Sequence, residues 1–322
     1  MTDIGFVFPG QGSQQVGMGK DIAQQYPAAS DVFAQADDLL GFPLSRLCFE
    51  GPEYALTDTI NAQPALLTTS IALLRAWECQ AALPTPAYLA GHSMGEYTAL
   101  VASGALTFAD GLRLVRERGK LMKQAGETNP GSMAAVLGLE RSVLAKVCLQ
   151  ASEETGQSVE IANDNAPGQV VISGHKLSVS RASELAKVAG ARRVVPLSVS
   201  IASHSCLMLT IAHEFRQVVA ATPIKAPRVP IVGNVDARPL TDVEAIRAEL
   251  VNQLTSPVRW VESVEWMAAQ GVTTFIEIGP GNVLTGLIRR IQREGQQYNV
   301  ADMPTLSQTI QTLQTLKESD VA

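Results

Sequence analysis

The run Ala87-Tyr88-Leu89-Ala90 followed by Gly91-His92-Ser93-Met94-Gly95 constrains the fold of this chain more than any other stretch. The apolar run predicts a buried strand. Glu96 to Ser103 predicts a helix, which Gly104 stops. A G-x-S-x-G turn between a strand and a helix is the pattern of a nucleophile elbow. Its glycines are needed because the turn is too sharp for side chains at those places. Ser93 would then stand near a helix N-terminus, where N–H groups and the helix dipole favour negative charge. The alternative is a glycine-rich connection carrying an inert serine.

The composition sets the class around that turn. With 322 residues the chain has room for one large domain with an insertion, or for two domains. A content of 46% hydrophobic and 17% charged residues fits a soluble globular protein. No apolar run approaches the roughly 20 residues that span a bilayer. Met1-Thr2-Asp3 offers no basic start of a signal peptide. A net charge of −6 argues against a nucleic-acid partner. Cys48, Cys79, Cys148 and Cys206 are widely spaced and are expected as reduced, mostly buried thiols of a cytoplasmic protein. The scattered His and Cys residues suggest no metal site.

Strand–loop–helix units are expected at Ile4, Ala87, Val229 and Thr273, which predicts a doubly wound parallel sheet. The first strand, Ile4 to Phe8, leads into Pro9-Gly10-Gln11-Gly12-Ser13-Gln14. This loop lacks the Gly-Lys-Ser/Thr ending of a phosphate loop. It instead places Gln11 at the carboxyl end of a strand, where its amide or backbone N–H can face Ser93 as an oxyanion donor. Asp21 to Leu40 is expected as one helix. Ala62 to Glu78 is expected as a second, with Pro64 in its first turn. Thr107 to Asp110 resembles a capping box and starts a helix running to about Ala125. Met122 is on its buried face. Arg118 borders that face, either as a carboxylate clamp or as part of a solvated basic surface.

From Met133 to Leu197 the rhythm becomes βαββαβ, which predicts a ferredoxin-like subdomain. The fold class is therefore α/β: a hydrolase-like doubly wound parallel sheet core with an inserted ferredoxin-like α+β subdomain. Residues 1–127 and 198–322 form the large part, and 128–197 the small one. Asn163 and a turn at Asn165-Ala166-Pro167-Gly168 lie on the small part's hairpin. Beyond Gly295 the polar, Thr/Gln-rich chain reads as a tail or peripheral helix.

A serine nucleophile needs a general base, and there are four histidines. His92 adjoins the elbow but is expected to point away from Ser93. His175 ends the small hairpin, and His213 falls on a solvated helix face. His204, in the polar stretch Ser198 to Ser205, is the base by elimination. No aspartate clearly completes a triad. Asp236 is the nearest candidate, and a backbone carbonyl can fix the imidazole tautomer equally well.

These pieces resemble the malonyl-CoA:acyl carrier protein transacylases, the family that includes the acyltransferases of polyketide synthases. The resemblance rests on Phe8 to Gln14, Gln63-Pro64-Ala65, Gly91 to Tyr97, Arg118 to Met122 and Asn165 to Gln169. Ser203-His204-Ser205, Gln253 and Glu277 to Gly281 complete it, in the family's order. It implies Ser93 as the acylated nucleophile and His204 as its base. Gln11 and the N–H of Met94 would form the oxyanion hole, and the carbonyl of Gln253 would orient His204. Arg118 would hold the malonyl carboxylate, with Met122, Asn163, Asn165 and Ser203 as further substrate-binding positions.

The implied reaction is ping-pong: malonyl-CoA loads Ser93, and the phosphopantetheine thiol of an acidic acyl carrier protein collects the acyl group. The implied protein is a cytoplasmic monomer with no bound cofactor and no nucleic-acid or membrane partner. Arg113, Arg116, Lys123, Arg289, Arg290 and Arg293 are candidates for a carrier-docking patch. Met94 replaces the leucine common in the fatty-acid enzymes. Ile201-Ala202-Ser203-His204 fits neither common polyketide pattern, and the reading favours malonyl over methylmalonyl. An acyl hydrolase on this fold, a methylmalonyl-selective acyltransferase, a standard esterase and a non-catalytic carrier-binding module are the alternatives.

Overall fold

A computed structural model describes residues 3–197, 199 and 201–319, so Ser198 and Ser200 of the polar stretch lie outside the described residues. The described strands are β1 (Ile4–Phe8), β2 (Tyr88–Gly91), β3 (Gly131–Leu137), β4 (Val159–Ala166) and β5 (Gln169–His175). They continue as β6 (Arg193–Pro196), β7 (Ile231–Val232), β8 (Pro239–Leu240), β9 (Thr274–Ile278) and β10 (Gln296–Val300). One six-stranded sheet runs β10-β9-β1-β2-β7-β8, parallel except for β8.

The inner strands are continuous apolar runs because helices cover both faces of the sheet. Alternation divides their side chains between two cores. Ile4, Phe6, Phe8, Leu89 and Ile231 face one, while Val7, Ala90, Val232 and Phe275 face the other. The loops after β1, β2, β7 and β9 all emerge at the carboxyl edge, where open α/β sheets place ligands.

The second sheet is antiparallel, in the order β4-β5-β3-β6. This is the ferredoxin-like arrangement the βαββαβ rhythm predicts. Helices Arg141–Thr155 and Lys176–Val188 cover it, with Val136, Leu144, Ile172 and Val179 in its core. It meets the larger sheet's loops through paired backbone: Asp164 N–H donates to the Val258 carbonyl (2.9 Å) and Val258 N–H to that of Ala162 (2.8 Å).

Four expectations about elements need correction. Asp21 to Leu40 is not one helix: Lys20–Gln25 and Pro27–Leu40 are separated by Tyr26, which is extended (φ −120°, ψ 113°). Proline 27 forbids the helical conformation to the residue before it. Asn165 lies within β4, and the turn is only Pro167-Gly168. The polar stretch after Gly295 begins with β10 on the sheet edge, and the helix Met303–Ser319 follows. An edge strand with one open side keeps polar residues and so resembles a tail in sequence. The thiols are not mostly buried: Cys48 and Cys148 are, whereas Cys79 is exposed and Cys206 half-buried.

The long apolar helix also starts earlier than expected, at Thr59, so Pro64 lies inside Thr59–Gln80. Proline has no N–H to give to the carbonyl four residues back. That carbonyl, of Ile60, instead accepts from Arg116 Nη1 at 2.7 Å, and the same nitrogen donates to Asn61 Oδ1 at 2.8 Å. Arg116 is therefore committed to joining this helix to Phe108–Thr128 rather than free for docking. No helix among the described residues is long and apolar enough to cross a membrane. Replacing Arg116 with alanine is expected to lower unfolding free energy by about 1–2 kcal/mol, through the unpaired carbonyl. A urea midpoint unchanged from wild type would show that the Ile60 carbonyl is satisfied without Arg116.

Candidate active site

Ser93 sits at the tip of the turn after β2 with φ 50°, in the left-handed region that is costly for a residue with a side chain. The flanking glycines explain how the turn fits. A Cβ on Gly91 would lie 1.9 Å from the Gly95 carbonyl carbon, and one on Gly95 would lie 2.0 Å from the Phe8 carbonyl oxygen. The elbow thus rests directly on the end of β1 and brings the Gly10-Gln11 loop beside it. The N–H of Ser93 donates to Asn234 Oδ1 at 2.7 Å. Neither Gln11 N–H nor Met94 N–H has an acceptor among the described residues, which leaves both for a ligand oxygen.

His204 is the histidine that reaches Ser93, with Nε2 2.9 Å from Oγ. It too has a positive φ, 58°. Its Nδ1–H donates to the carbonyls of Gln253 (2.8 Å) and Ser256 (3.1 Å). Two carbonyl acceptors place the proton on Nδ1, so Nε2 offers a lone pair to the serine hydroxyl. Asp236 makes no hydrogen bond to this ring among the described residues, and the carbonyls do the orienting. His92 points away as expected: its Nε2–H donates to Asn165 Oδ1 (2.8 Å) and its ring packs edge-on to Trp260. His213 is exposed beside Gln217, and His175 pairs with Ser158.

Arg118 is 1% exposed. Helix Phe108–Thr128 aims its guanidinium at the elbow: Nη2 donates to Ser93 Oγ (3.1 Å) and Gln253 Oε1 (3.0 Å), and Nη1 to Gln63 Oε1 (2.9 Å). The Tyr97 ring lies beneath it at 5.4 Å. No carboxylate forms an ion pair with Arg118 among the described residues, and its buried Nε has no partner. A buried cation held only by neutral groups makes a site that favours an incoming anion.

Gln63 is one residue whose part in the site sequence reasoning missed. Besides accepting from Arg118, its Nε2 donates to Thr59 Oγ1 (3.0 Å), Gln11 Oε1 (3.3 Å) and Met122 Sδ (3.4 Å). Gln11 Oε1 also accepts from Thr59 Oγ1 at 2.9 Å. The Gln11 side chain is therefore tied to Thr59 and Gln63. Asn163 is buried in β4 beside Val258, and Asn165 is occupied by His92, so neither stands free on a turn. Ser203 is half-buried and makes no hydrogen bond among the described residues. The described residues hold no cluster of His, Cys, Asp and Glu that could bind a metal ion.

Burial, and then the Arg118 charge, push the His204 imidazole down to about 3, so it is neutral at pH 7. In the unfolded chain it would protonate near its ordinary value of about 6.5. The unfolded state therefore binds more protons between those values, and folded stability falls as pH drops through that window. His204→Gln is expected to lose less stability than wild type between pH 7 and pH 4.5, by about 2 kcal/mol. Parallel stability–pH curves for the two proteins would refute this.

The geometry joins a serine hydroxyl, a neutral imidazole and a buried guanidinium, and the chain as a whole is similar to known proteins. Residues 5–318 match the acyl transferase domain family. The chain is 48% identical over 322 residues to the malonyl CoA-acyl carrier protein transacylase of Bacillus subtilis (strain 168), covering all of both chains. Its structure resembles that of an acyl carrier protein S-malonyltransferase from Vibrio cholerae: TM-score 0.92, 46% identity, 96% of this chain and 100% of that one. It also resembles a malonyl-transacylase solved in complex with its type II polyketide acyl-carrier protein: TM-score 0.93, 43% identity, 96% and 99% of the two chains. The chain belongs to the acyl transferase domain family, within its malonyl-CoA:acyl carrier protein transacylase branch.

Proposed function

We propose that this protein transfers a malonyl group from malonyl-CoA to the phosphopantetheine thiol of an acyl carrier protein, through an acyl-serine on Ser93. The observation that carries the reading is the buried, unpaired Arg118 guanidinium 3.1 Å from Ser93 Oγ. An acyl group ending in a carboxylate supplies the missing anion at that distance. An acetyl group leaves the cation unpaired.

In the first half, Ser93 Oγ attacks the thioester carbonyl carbon as its proton passes to His204 Nε2. The N–H groups of Met94 and Gln11 receive the oxyanion. The carbon–sulfur bond then breaks, and the CoA sulfur leaves with the proton from His204. In the second half the carrier thiol gives its proton to His204 and attacks the acyl-serine, and the proton returns to Ser93 Oγ. The Gln253 carbonyl keeps Nδ1 protonated throughout, so Nε2 is always the atom that exchanges the proton. Met122 and Ser203 are read as lining the acyl group, and Asn163 and Asn165 as flanking the pantetheine arm.

The reading also makes the chain a cytoplasmic monomer with no resident cofactor. It divides into a catalytic part, 1–127 with 198–322, and a small part, 128–197. Of the candidate docking cations, Arg289 and Arg293 are exposed with neither an ion pair nor a side-chain hydrogen bond among the described residues, while Arg290 is exposed but donates to Gln169 Oε1 and the Pro167 carbonyl. Lys123 is held by Asp58 at 2.6 Å.

Brief incubation with malonyl-CoA, followed by intact-mass measurement, is expected to give a malonyl adduct on wild type and none on Ser93→Ala. A carrier protein should discharge that adduct faster than water does. Arg118→Ala is expected to cut malonyl loading by about 100-fold and to erase the preference over acetyl-CoA. Rapid loss of the adduct to water would instead indicate a hydrolase.

A further inference from the structure

Both peptide groups of the strained Ser93 turn are gripped by side-chain amides from outside it. Asn234 Oδ1 accepts from Ser93 N–H (2.7 Å), and Asn234 Nδ2 donates to the Gly91 carbonyl (2.7 Å). Gln253 Nε2 donates to the Ser93 carbonyl at 3.0 Å. Asn234 follows β7 and is buried, and all four of its hydrogen-bonding groups are engaged. Its carbonyl accepts from Arg259 N–H at 3.0 Å. Its N–H lies between two carboxyls, 2.9 Å from Glu96 Oε2 and 2.6 Å from Glu249 Oε1. Val235 N–H also donates to Glu249 Oε1, at 2.8 Å. Gly233 leaves room for this carboxyl, since a Cβ there would meet its carbon and both oxygens at 2.9–3.1 Å.

Glu96 and Glu249 are both buried, and neither forms an ion pair among the described residues. Two like charges converging on one N–H away from water repel, which favours the protonated form of the carboxyls. Burial and the partner carboxyl hold Glu96 well above the usual carboxylate range, and burial raises Glu249. The other ionisable groups around them are Tyr97, Arg118 and Asp236, and none hydrogen-bonds to the pair among the described residues. The pair offers acceptors for two backbone N–H groups, those of Asn234 and Val235.

We propose that Asn234, seated on the Glu96–Glu249 carboxyl pair, is a positioning residue for acyl transfer: it holds the Ser93 turn in its left-handed conformation and, by occupying Ser93 N–H, leaves Met94 N–H as the elbow's oxyanion donor. The inference rests on the acyl-serine reading above. Asn234 touches no reacting atom. It acts through the direction of two peptide groups, and a shift of about 1 Å in such a group is enough to lower a rate about 100-fold.

The test is single-turnover malonyl loading from malonyl-CoA, followed by intact mass, with folding checked by thermal melting. Wild-type loading tests the underlying reading, and the ratio of variant to wild type tests this one. Asn234→Ala is expected to lower the maximal loading rate about 100-fold while the half-saturating malonyl-CoA concentration stays within about twofold. Glu96→Ala is expected to fall similarly. Glu96→Gln is expected to recover most of the loss, because its amide can both accept from Asn234 N–H and donate to Glu249. If Asn234→Ala does not fold, the Glu96→Ala and Glu96→Gln pair decides. Lowered melting temperature with unchanged loading rates, a glutamine no better than alanine, or a loss confined to half-saturation would each overturn the proposal.

Discussion

The elbow lies against the end of β1 with no space for a side chain between them. Because Gly95 meets the Phe8 carbonyl at a distance that admits only hydrogen, the turn, the first strand and the Gln11 loop form one packed unit. Everything at the carboxyl edge follows from that contact. Gly10 likewise lies close to the His92 carbonyl, so the loop after β1 and the turn after β2 are pressed together. Ser93 adopts its costly φ because the strand and the helix on either side leave it no other path.

The second organising feature is electrical. Arg118 is buried with no ion pair among the described residues and is held by Gln63, Gln253, the serine hydroxyl and the Tyr97 ring. Neutral amides orient a guanidinium without discharging it. Burial first, and the same positive charge second, keep the nearby imidazole unprotonated.

Much of this was legible in the sequence because the signals are local. The G-x-S-x-G spacing marked Ser93, and a shortage of histidines in suitable turns left His204. The βαββαβ rhythm marked the small sheet. Arg118 could be placed only at the border of a buried face, since nothing local distinguishes a clamp from a solvated arginine. The partners that decide its role, Gln63 and Gln253, lie far away in the chain. Gln63 sits one residue before a proline that reads as a helix start, and Asn234 simply follows the strand expected at Val229. Their roles depend on long-range contacts that no periodicity reports. Strand β10 was missed for another reason: a polar edge strand lacks the apolar alternation on which strand recognition depends.

One helix end supports three parts of the site. Val243–Asn252 and its cap deliver Glu249 to the Asn234 loop, the Gln253 side chain to Arg118 and Ser93, and the Gln253 carbonyl to His204. A slip of one residue in that helix would disconnect all of them together, so these positions cannot drift independently. Ser203, beside His204 and free of hydrogen bonds among the described residues, carries no such obligation. The seating of the Ser93 turn and of the Arg118 guanidinium thus stands or falls with one helix end, whereas Ser203 can change without touching it.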